Sequence, residues 1–465
     1  MNYFPNIFTK KAVGLFLFLL VIISILKPNK ILPIIWIIFG IITVFLFFNT
    51  CNKLTIKTLN YPEKVFLKKI LIIAFVIRVI WVFFSYFFYI NQTGAPFEFS
   101  AADAAGYHYE ATWIKQLFLS GNYSFILNYY STRLSDAGYP IYLTFMYYFF
   151  NDSIIIARII KALLSSITVF LIYKLTKRSF NIEIAKIAAI IAAIYPNLIY
   201  YTGLHVKETE MTFLFILLLE RADYLLRIRR FSFKLITIVF ILGISLYFFR
   251  AVLAYSVFIV LAISSVLSST MIFKGKRYLQ FFLISGLIIL LFIGGETISE
   301  VVKFWGDRTS NQELSLNQRT NLNKFAKYGS AAIFAPIIIV APIPTLINIP
   351  YQQNQMLIGG ANYVKNIMSF FTILSIVLII KNKKVRSHIL LLSMLAAYLA
   401  ILAMSKFALV ERFHLLILPL HIILMSYGIN QLNRKNLVYF NSYIVVISLI
   451  IIGWNWFKLA GRGEF

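Results

Sequence analysis

The sequence predicts an all-α, polytopic membrane protein: a transmembrane helical bundle of about thirteen spans, with interfacial helices in its first large outer loop. Three observations carry this. Hydrophobic residues make up 60% of the 465, charged residues only 13%, and long apolar runs recur from end to end. A soluble chain is nearer half apolar and a quarter charged, so too little polar surface exists to cover a water-facing body of this size.

Taken in order, Lys10 and Lys11 precede the first run, near 12–26, and Lys27-Pro-Asn-Lys30 leads directly into the second, near 31–48. No small-residue cleavage site separates them, so the start reads as a signal anchor, not as a removed signal peptide. Further runs lie near 67–90, 154–173, 184–201, 211–226, 234–249, 251–267, 278–293, 365–380, 388–404, 414–430 and 438–456. Several are short for a span, which predicts broken or interior-facing helices. Two other apolar stretches stay out of the count. Residues 139–150 are too few, and 331–350 carries Pro336, Pro342, Pro344 and Pro350; both read as helices lying in the interface.

The net charge of +27, from 44 Lys and Arg against 17 Asp and Glu, would suggest a nucleic-acid partner in a soluble chain. In a membrane protein the bases first report topology. With both short stretches outside, roughly half of the bases fall in seven inner segments: 1–11, 49–69, 174–183, 227–234, 268–277, 381–386 and 431–437. The N-terminus is then cytoplasmic, the C-terminus outside, and no nucleic-acid partner is implied. Among the acids only Glu63, Glu183, Glu220 and Asp223 fall inside. Two outer segments, about 91–153 and about 294–364, are longer than structureless loops usually are. The chain divides accordingly. Residues 1–66 hold two extra N-terminal spans and a cytoplasmic loop, and 67–293 form a transmembrane module with outer loop 91–153. Residues 294–364 form a second outer loop with an interfacial or re-entrant segment, and 365–465 the C-terminal helices. The single cysteine, Cys51, excludes an internal disulfide and a Cys-based metal site.

The outer segments carry the candidate chemistry. Ser100 to Trp113 places Asp103 where it looks like a helix N-cap, with Tyr107 and Glu110 following on its face and His108 beside them. A capping role competes with that of a carboxylate held at the membrane surface beside sugar-stacking aromatics. Arg133-Leu-Ser-Asp136-Ala-Gly138-Tyr139-Pro140 ends the loop, with Arg133 either solvated or contacting an anion. The tight turn Gly203-Leu-His205-Val-Lys207-Glu208-Thr-Glu210 mixes both signs, as a simple ion pair or as a lysine facing an anionic substrate with Glu208 orienting it. Arg250 ends one run, and Glu411-Arg412-Phe413-His414 opens another; each base is a snorkelling anchor or a phosphate contact. Arg78 and Arg158 sit in or at the ends of spans, where charge is costly; they mark a site or pack against an acid. Asp103, His108 and Glu110 lack a spacing that defines a metal site, so no cofactor is indicated, and a divalent metal is left open.

In this order the residues resemble the GT-C glycosyltransferases, lipid-linked-sugar enzymes that include the protein O-mannosyltransferases and the bacterial aminoarabinose transferase (a family 39-like pattern). The resemblance covers about 67–250: Asp103-x-x-x-Tyr107, Gly138-Tyr139-Pro140, Ala157-Arg158, Tyr195-Pro196-Asn197 and Lys207-Glu208, with Glu411-Arg412-Phe413 and Pro419 near the C-terminus. The two spans before residue 67 depart from the simplest members. The resemblance implies an inverting transferase in a bacterial cytoplasmic (inner) membrane. It would move a sugar from a polyprenyl-phosphate donor to a glycan, lipid or protein acceptor on the extracytoplasmic side. Asp103 matches the catalytic acid of the first loop, and Glu208 a second acid. Lys207, Arg250, Arg412, His414 and Arg133 would serve the donor phosphate, and Tyr107, His108, Glu110 and Tyr139 the substrates. Two other classes share parts of the pattern. An O-antigen polymerase or ligase would place its catalytic bases in 294–364, and a lipid-linked-sugar flippase or transporter would place charges near the bilayer midplane.

Overall fold

The computed structural model describes residues 6–131, 133–228, 232–267, 337–350, 352–404 and 408–460. The sequence-predicted span near 278–293, most of the outer loop 294–364 and the terminal Gly461-Arg-Gly-Glu-Phe465 lie outside the described residues. Among those described, every regular element is helical. We number the first twelve helices α1 (Asn6–Leu26), α2 (Ile34–Thr58), α3 (Glu63–Thr93), α4 (Ala102–Leu119), α5 (Tyr123–Ser131), α6 (Gly138–Phe150), α7 (Ile154–Ser179), α8 (Ile182–Ile194), α9 (Pro196–Tyr200), α10 (Glu208–Arg227), α11 (Phe233–Phe249) and α12 (Ala251–Leu267), and name later ones by their residues.

The helices are those of an integral membrane protein, but the count of about thirteen spans does not hold. Six described helices are long and apolar enough to cross: α1, α2, α3, α7, Gly359–Lys381 and the final one within Arg434–Ala460. A seventh span requires joining α8 to the segment after it across a 48° bend. The other runs fall short for physical reasons. α11 and α12, at 17 residues each, are separated by an extended Arg250, while Ile389–Met404 and Leu418–Asn430 have 16 and 13 residues. α10 is 20 residues long, but Glu208, Glu210, Glu220, Arg221, Asp223 and Arg227 crowd its ends.

α8 forms the centre. Every residue from Ile184 to Ile194 is buried, and its alanines let α2, α3, α7 and Leu418–Asn430 approach closely. Pro196 ends it and cannot donate to the Ala192 carbonyl. Arg78 from α3 covers that break, donating from Nη2 to the Ala192 oxygen at 3.0 Å and from Nη1 to the Ala193 oxygen at 2.7 Å. Its Nε donates to Ser165 at 2.8 Å. Arg78 therefore partners the freed carbonyls at the end of a broken helix, not an acid.

Charge sorts to the two ends of the bundle. At one end Lys177 pairs with Glu63 at 2.7 Å, and Arg178 bridges Glu220 and Asp223. α3 and α7 run antiparallel from there toward the opposite end, where α4, α5 and α6 gather. α6 is a short helix, as expected for 139–150, burying Tyr139, Leu143 and Tyr147 and exposing Ile141, Phe145, Tyr148 and Phe149. The expectation for 331–350 fails across the described part, 337–350. It is an irregular segment threaded through the bundle, not an interfacial helix. Pro342 and Pro344 forbid a helix there, so the freed carbonyls find side-chain donors. Asn366 donates to the Val340 and Pro342 oxygens, each at 2.8 Å, and Asn455 to that of Pro344 at 3.0 Å.

Candidate active site

Three segments distant in sequence meet at the α4–α6 end. α3 stops at Gly94, whose φ of 76° takes the left-handed turn that ends the helix. The following loop delivers Asp103 to the first turn of α4, where a carboxylate is favoured by the helix dipole. Ala101, not Asp103, holds the N-cap position, so the capping role is not the one Asp103 plays. Its carboxylate instead accepts a hydrogen bond from Arg412. The same guanidinium lies 3.8 Å, through Nε, from Glu208 at the start of α10. Asp103 is half exposed and Glu208 buried, so one cation links a water-facing carboxylate to an interior one.

The chain around Glu208 is fixed by the break after α8. From Tyr200 to Glu208 every residue is buried. Lys161 donates to the Leu204 and Val206 oxygens at 2.8 and 2.6 Å, and Trp81 to that of Tyr200 at 3.0 Å. Gly203 passes so close to α3 that an added Cβ would lie 2.3 Å from Ser85 Oγ. Gly138 does the same for α6: a Cβ there would meet the Phe248 carbonyl carbon at 2.9 Å. That approach brings the end of α11 beneath the site. Lys207 Nζ donates to Asp136 at 2.7 Å and to the Phe249 oxygen at 3.0 Å, and lies 5.9 Å from the Tyr107 ring. Arg250 and Arg412 both stack on Phe413, at 4.6 and 5.1 Å.

Electrostatics follow the geometry. Burial works against the Arg412 charge, yet Glu208 and Asp103 outweigh it and hold the guanidinium firmly cationic. Burial, together with the Glu208 and Asp103 charges, raises the Tyr107 phenol above its ordinary range. Tyr107 meets Tyr139 edge-on at 5.0 Å, and the Tyr139 hydroxyl accepts from Lys161 at 3.2 Å. Lys161 also faces Glu210 at 3.5 Å, both buried.

Of the sequence-predicted site residues, Asp103, Glu208, Lys207, Arg412, Arg250, Tyr107 and Tyr139 come together. Glu110 and Arg133 do not: Glu110 accepts from Tyr130 at 2.8 Å, and Arg133 stacks on Tyr129 at 5.7 Å, in a satellite cluster around α5. His414 turns away from Arg412 into the interior, Nε2 paired with the Ala408 carbonyl at 2.7 Å and Nδ1 3.1 Å from Lys365. It is unavailable there as an outer-surface phosphate contact. His108 joins a different chain, its Nδ1 2.7 Å from the Tyr147 hydroxyl, which lies 2.9 Å from His205 Nε2. Lys161 and Glu98 were not singled out from the sequence, and Asp136 and Glu210 were named there without a role of their own. Lys161 reads as a lone charge in an apolar run, and only its place one turn beyond Arg158 could have drawn attention to it. Among the described residues no group of three or more His, Cys, Asp or Glu is placed to share a metal ion.

His205 gives the site a pH dependence. Burial first, and then Arg158, Lys161 and His108, push its imidazole well below the usual range. Its neutral form therefore supports the fold fully above an unfolded-state pKa of about 6.5, and that support is lost as pH falls below it. The thermal unfolding midpoint should drop between pH 7 and 5, the loss approaching about 1.4 kcal/mol per pH unit for this histidine. His205→Gln should flatten that part of the profile; an unchanged slope would show that His205 is not its source.

No protein-family model matches the chain, and no match was found among curated proteins.

Proposed function

We propose that the chain is an inverting GT-C-type glycosyltransferase that moves a sugar from a polyprenyl-phosphate donor to an acceptor at the extracytoplasmic face. The observation that supports this most is the junction of Asp103, Arg412 and Glu208, with Asp103 and Arg412 separated by 309 residues in the sequence. In this reading Asp103, half exposed at the surface, takes the acceptor hydroxyl proton as the oxygen attacks the anomeric carbon. The bond from that carbon to the phosphate oxygen breaks on the opposite face, and the lipid phosphate leaves with the electron pair. Arg412, Lys207 and Arg250 lie on the same side to meet the developing charge. Buried Glu208 positions Arg412. The charge sorting along the bundle supports the sidedness: Lys177, Arg178 and Arg227 cluster at the end away from the site.

One observation favours a second reading, transport of an anionic lipid. Lys365, His414 and His421 sit buried in the bundle, and Lys365 contacts the Ala341 carbonyl and His414 and no acid among the described residues. Purified protein in proteoliposomes, given a labelled polyprenyl-phosphate sugar and acceptor lipids or peptides, separates the two. Glycosyl transfer should release polyprenyl phosphate, whereas labelled donor crossing the bilayer intact would favour transport.

A further inference from the structure

The end of the bundle away from Asp103 carries lysines that no acid balances. α2 ends at Thr58 and α3 begins at Glu63. The link between them is drawn tight by α8, whose buried Lys186 donates to the Leu59 and Tyr61 oxygens at 2.5 and 2.7 Å. Lys53 and Lys57 stand just before this turn, and Lys64 and Lys68 just after it. All four are exposed, and none meets an acid among the described residues. Lys69 lies over the Tyr61 ring at 4.3 Å. Glu63, the one acid between residues 49 and 69, is taken by Lys177 at 2.7 Å. Topology does not call for this arrangement, because bases anywhere in an inner segment serve it. Arg178 and Arg227 do so while paired with Glu220 and Asp223. Lys53 and Lys57, like Lys64 and Lys68, are instead equal charges one turn apart, which repel along a helix. Lys64 also sits in the first turn of α3, where the helix dipole disfavours a cation. An anion from outside the chain relieves both costs.

The surface beside the lysines indicates what carries the anion. On α2, Ile42 and Leu46 are exposed on the membrane side of Lys53; on α3, Ile72 and Val76 continue the exposed face of Lys68. The two helices meet on one side of the bundle, where Phe39 of α2 lies 5.8 Å from the exposed Phe84 of α3. A cationic end that grades into an aliphatic wall matches an anionic headgroup joined to acyl chains. A soluble anion would use only the lysines. A second copy of the chain, related by a two-fold axis, would set lysine against lysine.

We propose that the α2–α3 turn binds an anionic glycerophospholipid of the leaflet opposite the candidate active site. Its phosphodiester sits among Lys53, Lys57, Lys64 and Lys68, and its acyl chains run along Leu46 and Ile72. The site is independent of what the Asp103 end does. Full-length protein in neutral detergent is titrated with phosphatidylglycerol and with phosphatidylcholine of the same acyl chains, and bound lipid is counted by native mass spectrometry. Phosphatidylglycerol should bind about ten-fold tighter or more and raise the thermal unfolding midpoint. The pairs Lys53→Gln with Lys57→Gln, and Lys64→Gln with Lys68→Gln, should each weaken it about ten-fold. Arginine at all four positions should keep the affinity within about three-fold, since the charge remains. Lys381→Gln, Lys383→Gln and Lys384→Gln together remove three other exposed bases from the same end, where Arg227 reaches the Ser387 oxygen. That variant should change the affinity less than about two-fold. Equal binding of the two lipids by the wild type would overturn the site, and this is read without any variant. So would unchanged phosphatidylglycerol affinity in both glutamine pairs, or an equal loss in the 381–384 variant, which would leave only bulk charge.

Discussion

Asp103→Asn is expected to fold like the wild type and to lower glycosyl transfer by roughly 10²–10⁴-fold, the range that a positioned general base contributes. The substitution removes a proton acceptor with almost no change of shape. The amide oxygen can still accept from Arg412, so the link between α4 and the 411–414 turn survives. The half-exposed position matters too: a group open to water can shed the proton it has taken, whereas one as buried as Glu208 cannot easily do so. The measurement is initial rate at saturating donor, with thermal unfolding as the control for folding. A rate within a few-fold of wild type, in protein with an unchanged midpoint, would remove Asp103 from the chemistry.

Arg412→Gln should cost about as much for a different reason. Arg412 is the cation shared by Asp103 and Glu208, and its side chain is one-third exposed, so it can turn toward a leaving phosphate. Loss of a preorganised charge aimed at a developing anion typically lowers turnover by about 10²–10³-fold. It also leaves the buried Glu208 carboxylate without its nearest cation, with a stability loss of about 1–3 kcal/mol. Arg412→Lys separates the two effects. Lysine keeps the charge but, as a single point donor, cannot serve both carboxylates, so partial recovery of turnover is expected. If lysine and glutamine behave alike in rate and differ only in unfolding midpoint, Arg412 holds the fold and not the phosphate.

How far the sequence foretold this arrangement depends on the kind of signal. Asp103, Lys207-Glu208 and Glu411-Arg412 were legible because polar residues between apolar runs stand out, and these are the residues that meet. Glu110, Arg133 and His414 were just as conspicuous, yet the local backbone sends their side chains elsewhere, which linear spacing cannot register. Lys161 and Glu98 gave the opposite problem: one lies in a span, the other between two phenylalanines, and only packing reveals what they face. The spans were overcounted because hydropathy sees apolar runs and not where they break. The runs on either side of Arg250 form helices of only 17 residues each, Ile389–Met404 and Leu418–Asn430 have 16 and 13, and Pro196 bends another run.

The decisive measurement is the anomeric configuration of the product made by purified protein from a polyprenyl-phosphate sugar of defined anomer, followed by NMR. A base at Asp103 acting directly on the acceptor predicts a single displacement and therefore an inverted anomer, with polyprenyl phosphate released in equal amount. Retention of configuration, or donor that crosses the bilayer without forming any glycosidic bond, would contradict it.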